Sequence, residues 1–146
     1  MRVGLGGVWV STTNPGTLVR LDPGSGKVVA TIPVGEEARF LALGSSAAWV
    51  MNQKEGTVSR VDPKSNRVVA TIKVSAFAID GGDIAASDRA VWVRVSDVLA
   101  AKIDPQSNKV IDRLGPRSGS GSVAIGQDSV WITAHDVTSL WRIPQP

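Results

Sequence analysis

Tryptophan recurs at Trp9, Trp49, Trp92 and Trp131, at spacings of 40, 43 and 39 residues. A fixed period near 40 is the mark of an array of like units, so any fold proposed for these 146 residues must be built from repeats. The flanks repeat as well. Eleven residues after the first two tryptophans stand Arg20-Leu21-Asp22-Pro23 and Arg60-Val61-Asp62-Pro63; the third copy has Lys102-Ile103-Asp104-Pro105, and the fourth closes as Arg142-Ile143-Pro144. Downstream, Ser25-Gly26-Lys27-Val28-Val29-Ala30-Thr31-Ile32 matches Ser65-Asn66-Arg67-Val68-Val69-Ala70-Thr71-Ile72 and, more loosely, Ser107 to Leu114.

Each copy divides into short apolar runs separated by turn residues, which is a strand pattern. In the second copy the runs are Phe40 to Gly44, Ala48 to Asn52, Thr57 to Asp62 and Arg67 to Val74. With 15 glycines and 8 prolines as punctuation, no window is left for a long helix. Between the last two runs, Asp62-Pro63-Lys64-Ser65-Asn66-Arg67 reads as a hairpin turn. Proline fixes φ, Asn66 (Gly26 in the first copy) supplies a left-handed residue, and the aspartate accepts backbone N–H bonds. Asp22, Asp62 and Asp104 are therefore expected to be structural.

A unit of four strands that is apolar on both faces cannot bury itself, whereas stacking such units around an axis covers both faces. The expected fold is an all-β propeller arc with approximate blades 1–35, 36–75, 76–117 and 118–146. Trp9, Trp49, Trp92 and Trp131 are expected to pack blade on blade rather than to form an aromatic cage or a base-stacking platform. Fifteen strands can be counted, because the fourth blade lacks its outer strand. An open arc exposes two apolar end faces, so a homodimer closing an eight-bladed ring is expected. A closed four-bladed ring and a piece of a longer propeller are the other readings of the same count.

The runs Val8-Trp9-Val10, Thr17-Leu18-Val19-Arg20-Leu21-Asp22-Pro23 and Gly26-Lys27-Val28-Val29-Ala30-Thr31-Ile32-Pro33-Val34-Gly35 resemble the bacterial YVTN-type repeat propellers. Those are similar in turn to the virginiamycin B lyase-like and quinoprotein-like propellers. The resemblance implies the propeller fold over nearly the whole chain. Toward the lyase-like members it implies a histidine and acidic residues around a magnesium ion.

Composition narrows the chemistry. With no cysteine, disulfides, thiol catalysis and iron–sulfur ligation are excluded, and one histidine argues against a multi-histidine metal site. No apolar stretch reaches the roughly 18 to 20 residues of a membrane span. The start at Met1-Arg2-Val3-Gly4 has no apolar signal region, and the compartment stays unassigned. A net charge of +3 from 16 basic and 13 acidic residues is spread once per blade at Arg20, Arg60, Lys102 and Arg142, which predicts no specific nucleic-acid site. In a propeller the d-to-a and b-to-c loops share the ligand face. They offer Glu36, Glu37, Asn52, Arg94, Asp97, Arg117, His135 and Asp136. His135 beside Asp136, with Glu36 or Glu37, is the candidate catalytic set if the chain is a metal-dependent lyase or hydrolase, with a divalent cation as its cofactor. Asn52, Arg94, Asp97 and Arg117 are candidates for a ligand-binding face of unidentified specificity. The favoured expectation is a non-enzymatic binding or scaffold module that self-associates, without cofactor or metal.

Overall fold

A computed structural model describes residues 1–145; Pro146, the last residue of the fourth expected blade, lies outside the described residues. All regular structure among them is strand, arranged as four antiparallel sheets. The first sheet contains β1 (Arg2–Gly4), β2 (Gly7–Thr13), β3 (Gly16–Leu21) and β4 (Val28–Pro33). The second contains β5 (Ala38–Leu43), β6 (Ala48–Asn52), β7 (Thr57–Asp62) and β8 (Arg67–Lys73). The third contains β9 (Asp83–Ala86), β10 (Val91–Arg94), β11 (Ala100–Asp104) and β12 (Lys109–Leu114), and the fourth β13 (Val123–Gly126), β14 (Ser129–Ala134) and β15 (Ser139–Pro144). Strands pair in chain order within every sheet, and the fourth sheet stops at three. This is a β-propeller arc.

The turn before each outer strand forms as its residues require. Gly26, Asn66 and Asn108 adopt φ of 68°, 53° and 56°, and each donates its N–H to the carbonyl of Asp22, Asp62 or Asp104 at 2.9 Å. The aspartate side chains accept from Ser25, Ser65 and Ser107, with hydroxyl distances of 2.6 to 2.7 Å. Glycine or asparagine is needed there because other side chains strain in the left-handed region.

One expectation is corrected. Neighbouring blades were expected to cover both sides of the outer strand, yet Val29, Val69 and Ile111 are 53%, 53% and 56% exposed. The register shifts between Arg20 and Leu21, Arg60 and Val61, and Lys102 and Ile103 leave each of these apolar residues as the extra residue of a β-bulge. Along β8 exposure alternates, with Arg67, Val69, Thr71 and Lys73 outward and Val68, Ala70 and Ile72 inward, so one face of the outer strand meets water.

Between blades the packing is regular. Trp9 and Leu18 of the first sheet lie against Leu41, Ala48, Val50 and Val61 of the second. Trp49 and Val58 of the second meet Val91, Val93 and Ile103 of the third, and Trp92 of the third meets Val130 and Ile132 of the fourth. Every internal interface thus sets a tryptophan face against an aliphatic face.

Candidate functional site

Two kinds of surface could carry function: the loop face and the two end faces of the arc. The end faces are built from the repeat itself. Trp9, Trp49 and Trp92 are 0%, 1% and 2% exposed, but Trp131 is only half-buried. Its face of the fourth sheet, with Ala124 and Leu140 exposed beside it, has no sheet upon it. At the other end, Val8, Val10 and Leu21 are partly exposed, whereas their counterparts Ala48, Val50 and Val61 are fully buried. Trp131 was expected to be a packing residue like the other three; within one chain its packing is incomplete.

The once-per-blade cations are more than the solvated rim charges that their spacing suggested. Each stands directly across the strand pair from its tryptophan, and the charge lies 5.0 Å (Arg20 over Trp9), 5.3 Å (Arg60 over Trp49), 5.4 Å (Lys102 over Trp92) and 5.6 Å (Arg142 over Trp131) from the ring centre. Two of them also clamp the next blade. Arg20 Nη1 donates to the Pro63 carbonyl (2.5 Å) and Asn66 Oδ1 (2.9 Å). Arg60 Nη1 donates to the Pro105 carbonyl (2.6 Å) and Asn108 Oδ1 (2.8 Å). The turn asparagine therefore has two duties, a left-handed backbone and an acceptor for the neighbour's arginine. Sequence reasoning missed the second; the signal was the joint recurrence of Trp, Arg and Asn in register.

On the loop face, the candidates separate. Glu36 and Glu37 line a cavity with Thr13, Pro15, Arg39 and Lys54, where Glu36 pairs with the Lys54 ammonium and lifts it above its ordinary value. Both side chains are well exposed, so the pair contributes little to stability. Asp136 lines a second cavity of about 690 Å³ with Arg39, Asp80, Ser96 and Arg117, and accepts the Gly119 N–H at 2.6 Å. Arg117 is exposed at its edge, and so is His135 in the adjoining loop. No three of the histidine, aspartate and glutamate side chains gather into a metal-binding group among the described residues. The expected set His135, Asp136, Glu36 and Glu37 is not brought together at one point.

Asn52 and Arg94 point inward. Asn52 is fully buried and donates to Thr57 Oγ1 (3.0 Å) and Ser59 Oγ (2.9 Å). Asp97 accepts from Arg113 Nη2 at 2.7 Å and from the Ala76 N–H, which fixes the loop before β9. Arg94, at 0% exposure, joins the third blade to the fourth. Its Nε donates to the Thr133 carbonyl (3.2 Å), Nη1 to the carbonyls of Val95 and Leu99, and Nη2 to Ser118 Oγ and the Gly119 carbonyl. All five N–H groups are used, without a carboxylate. Burial pushes its guanidinium below the ordinary arginine value, opposed by the field of Asp136.

The turn aspartates give a pH prediction. Serine hydroxyls, then backbone N–H groups, hold the carboxyls of Asp22, Asp62 and Asp104 below the ordinary 3.8. A carboxyl lowered in the fold contributes stability above its unfolded value, and that contribution is lost as pH falls through the lower folded one. Melting temperature is expected to decline below about pH 4. Asp62→Asn should flatten this acid limb by lowering the neutral plateau while leaving stability at the acid end nearly unchanged, and an unchanged acid slope in thermal melts would contradict the assignment.

No family model matches the chain, and no curated protein matches it. Solved structures do, at the level of fold. A computationally designed protein, Ika4, superposes with a TM-score of 0.80 at 15% identity, covering 97% of this chain and 88% of that one. BamB from Moraxella catarrhalis gives 0.77 at 12% identity over 97% of this chain and 42% of that one. Kuenenia stuttgartiensis hydrazine synthase gives 0.66 at 17% over 95% and 46%. The chain spans less than half the length of the last two, and the likeness concerns the fold alone.

Proposed function

We propose that this β-propeller module is a non-enzymatic binding or scaffold unit that self-associates, two four-bladed arcs completing one eight-bladed ring. The observation that carries this is Trp131, half-buried where its three counterparts are at most 2% exposed. The face it needs is present on a second copy, where Val8, Val10 and Leu21 repeat the aliphatic surface that receives Trp9, Trp49 and Trp92 internally. The two end faces are unlike and complementary, so contact is head-to-tail, and a two-fold axis closes it. That the chain superposes on somewhat under half of two longer neighbours is consistent with a half ring. The non-enzymatic part rests on the separation of the acidic candidates, Glu36 with Lys54 at one cavity and Asp136 with Gly119 at the other. In the closed ring the loop cavities of both chains would face the same side and form the binding surface.

Sedimentation equilibrium across the micromolar range tests the assembly. The expected mass is twice the 15.3 kDa of the chain, falling to the single value in Trp131→Glu, which puts a charge into the contact. A strict monomer for the parent chain, without binding of dyes that report exposed apolar surface, overturns the reading.

A further inference from the structure

At the first two internal interfaces the blade contact combines a buried tryptophan, an aliphatic face and an arginine clamp on the next blade's turn. Arg142 stacks on Trp131 at 5.6 Å as Arg20 stacks on Trp9, and its Nε donates to Ser129 Oγ at 2.9 Å. Unlike Arg20 and Arg60, it has no proline carbonyl or asparagine of a following blade to receive its Nη groups among the described residues. The turn in the equivalent position is that of the first blade, Asp22-Pro23-Gly24-Ser25-Gly26. Pro23 there corresponds to Pro63 and Pro105, and Gly26 to Asn66 and Asn108.

We propose that Arg142 is the polar anchor of the contact between two copies, donating to the Pro23 carbonyl of the second copy, and that Gly26 leaves this clamp one acceptor short. The proposal rests on the self-association reading and deepens it by naming the partner groups. Three observations support it. The cation–tryptophan pair that pre-orients the guanidinium is already formed in the single chain. The receiving turn has the same backbone as the two occupied ones, with φ of 68° at Gly26 against 53° and 56° at the asparagines. A Cβ at Gly26 meets no atom within 4 Å, so an asparagine fits there without displacing anything in its own chain. The pairing also sets register, because an arginine fork aimed at one carbonyl tolerates no slip of one sheet along the other. A head-to-tail contact made only of apolar side chains would lack that restriction.

The weaker clamp implies a gain-of-function test. Gly26→Asn should restore the acceptor present at both internal contacts and tighten dimerisation by about tenfold per interface, the scale of a hydrogen bond to a charged donor. A closed pair of chains has two such interfaces. Dissociation constants would be measured by sedimentation or fluorescence dilution for the parent, Gly26→Asn, Arg142→Gln and the double variant, with melting curves to confirm folding. Support is a tightening by Gly26→Asn that vanishes when Arg142 is glutamine. If dimers form but Gly26→Asn has no effect, or its effect survives in the Arg142→Gln background, the clamp is overturned while self-association stands. If the parent is monomeric throughout, both fall.

Discussion

Trp49→Ala is expected to destabilise the chain by about 3 to 5 kcal/mol in urea unfolding, the usual range for truncating an aromatic residue in a core. The ring is 1% exposed and packs among Ala42, Val91 and Ile103, so removing it leaves a void between two sheets that cannot close without moving a blade. An indole of ~200 Å² at ~25 cal/mol/Å² sets an upper bound of about 5 kcal/mol for the burial itself. Loss of the ring also removes the surface on which Arg60 lies, loosening the clamp to Pro105 and Asn108. The same change at Trp131 is expected to cost a dilute monomer less, since that side chain is already partly exposed. Equal effects at the two positions would contradict the packing described for them.

Arg94→Met is expected to have an effect of similar size for a different reason. Methionine fills much of the volume but leaves the carbonyls of Val95, Leu99, Thr133 and Gly119 and the Ser118 hydroxyl without their donor. A buried acceptor left unsatisfied costs about 1 to 3 kcal/mol, so two that stay dry give a loss of about 4 kcal/mol. The damage should concentrate in the loops of residues 95–99 and 118–120, seen as faster hydrogen exchange there than in the first two blades. Arg94→Lys should recover only part of the stability, because an ammonium cannot span acceptors placed for a planar fork. A loss under about 1 kcal/mol for Arg94→Met would show that water replaces the guanidinium freely.

Much of the architecture was legible because it is local and repeated. Apolar runs of five or six residues between turn residues specify strands, and the period of about 40 specifies units that must stack. The strand count, the three-stranded last sheet and the left-handed Asn66 and Asn108 all follow from such short-range rules. The functional surfaces were less legible. Arg20 and Asn66 are 46 residues apart, and nothing in either residue's neighbourhood states that one reaches the other. Arg94 looked like a loop-face ligand group because it stands at the end of a strand; its burial depends on the acceptors that three separate segments, 95–99, 118–119 and Thr133, bring around it. The outer strands were expected to be covered on both faces because the blades are apolar on both, whereas Val69 lies with Arg67, Thr71 and Lys73 on a face that meets water.

The order of strands, the repeat and the chemistry of each turn belong to the sequence, since they depend on contacts within a dozen or so residues of chain. Which cation grips which turn, which charge is buried and which tryptophan is left half-covered depend on how one sheet is rotated against the next. Those angles arise from packing over whole faces, a sum of many weak contacts between residues far apart in the chain that no short stretch encodes.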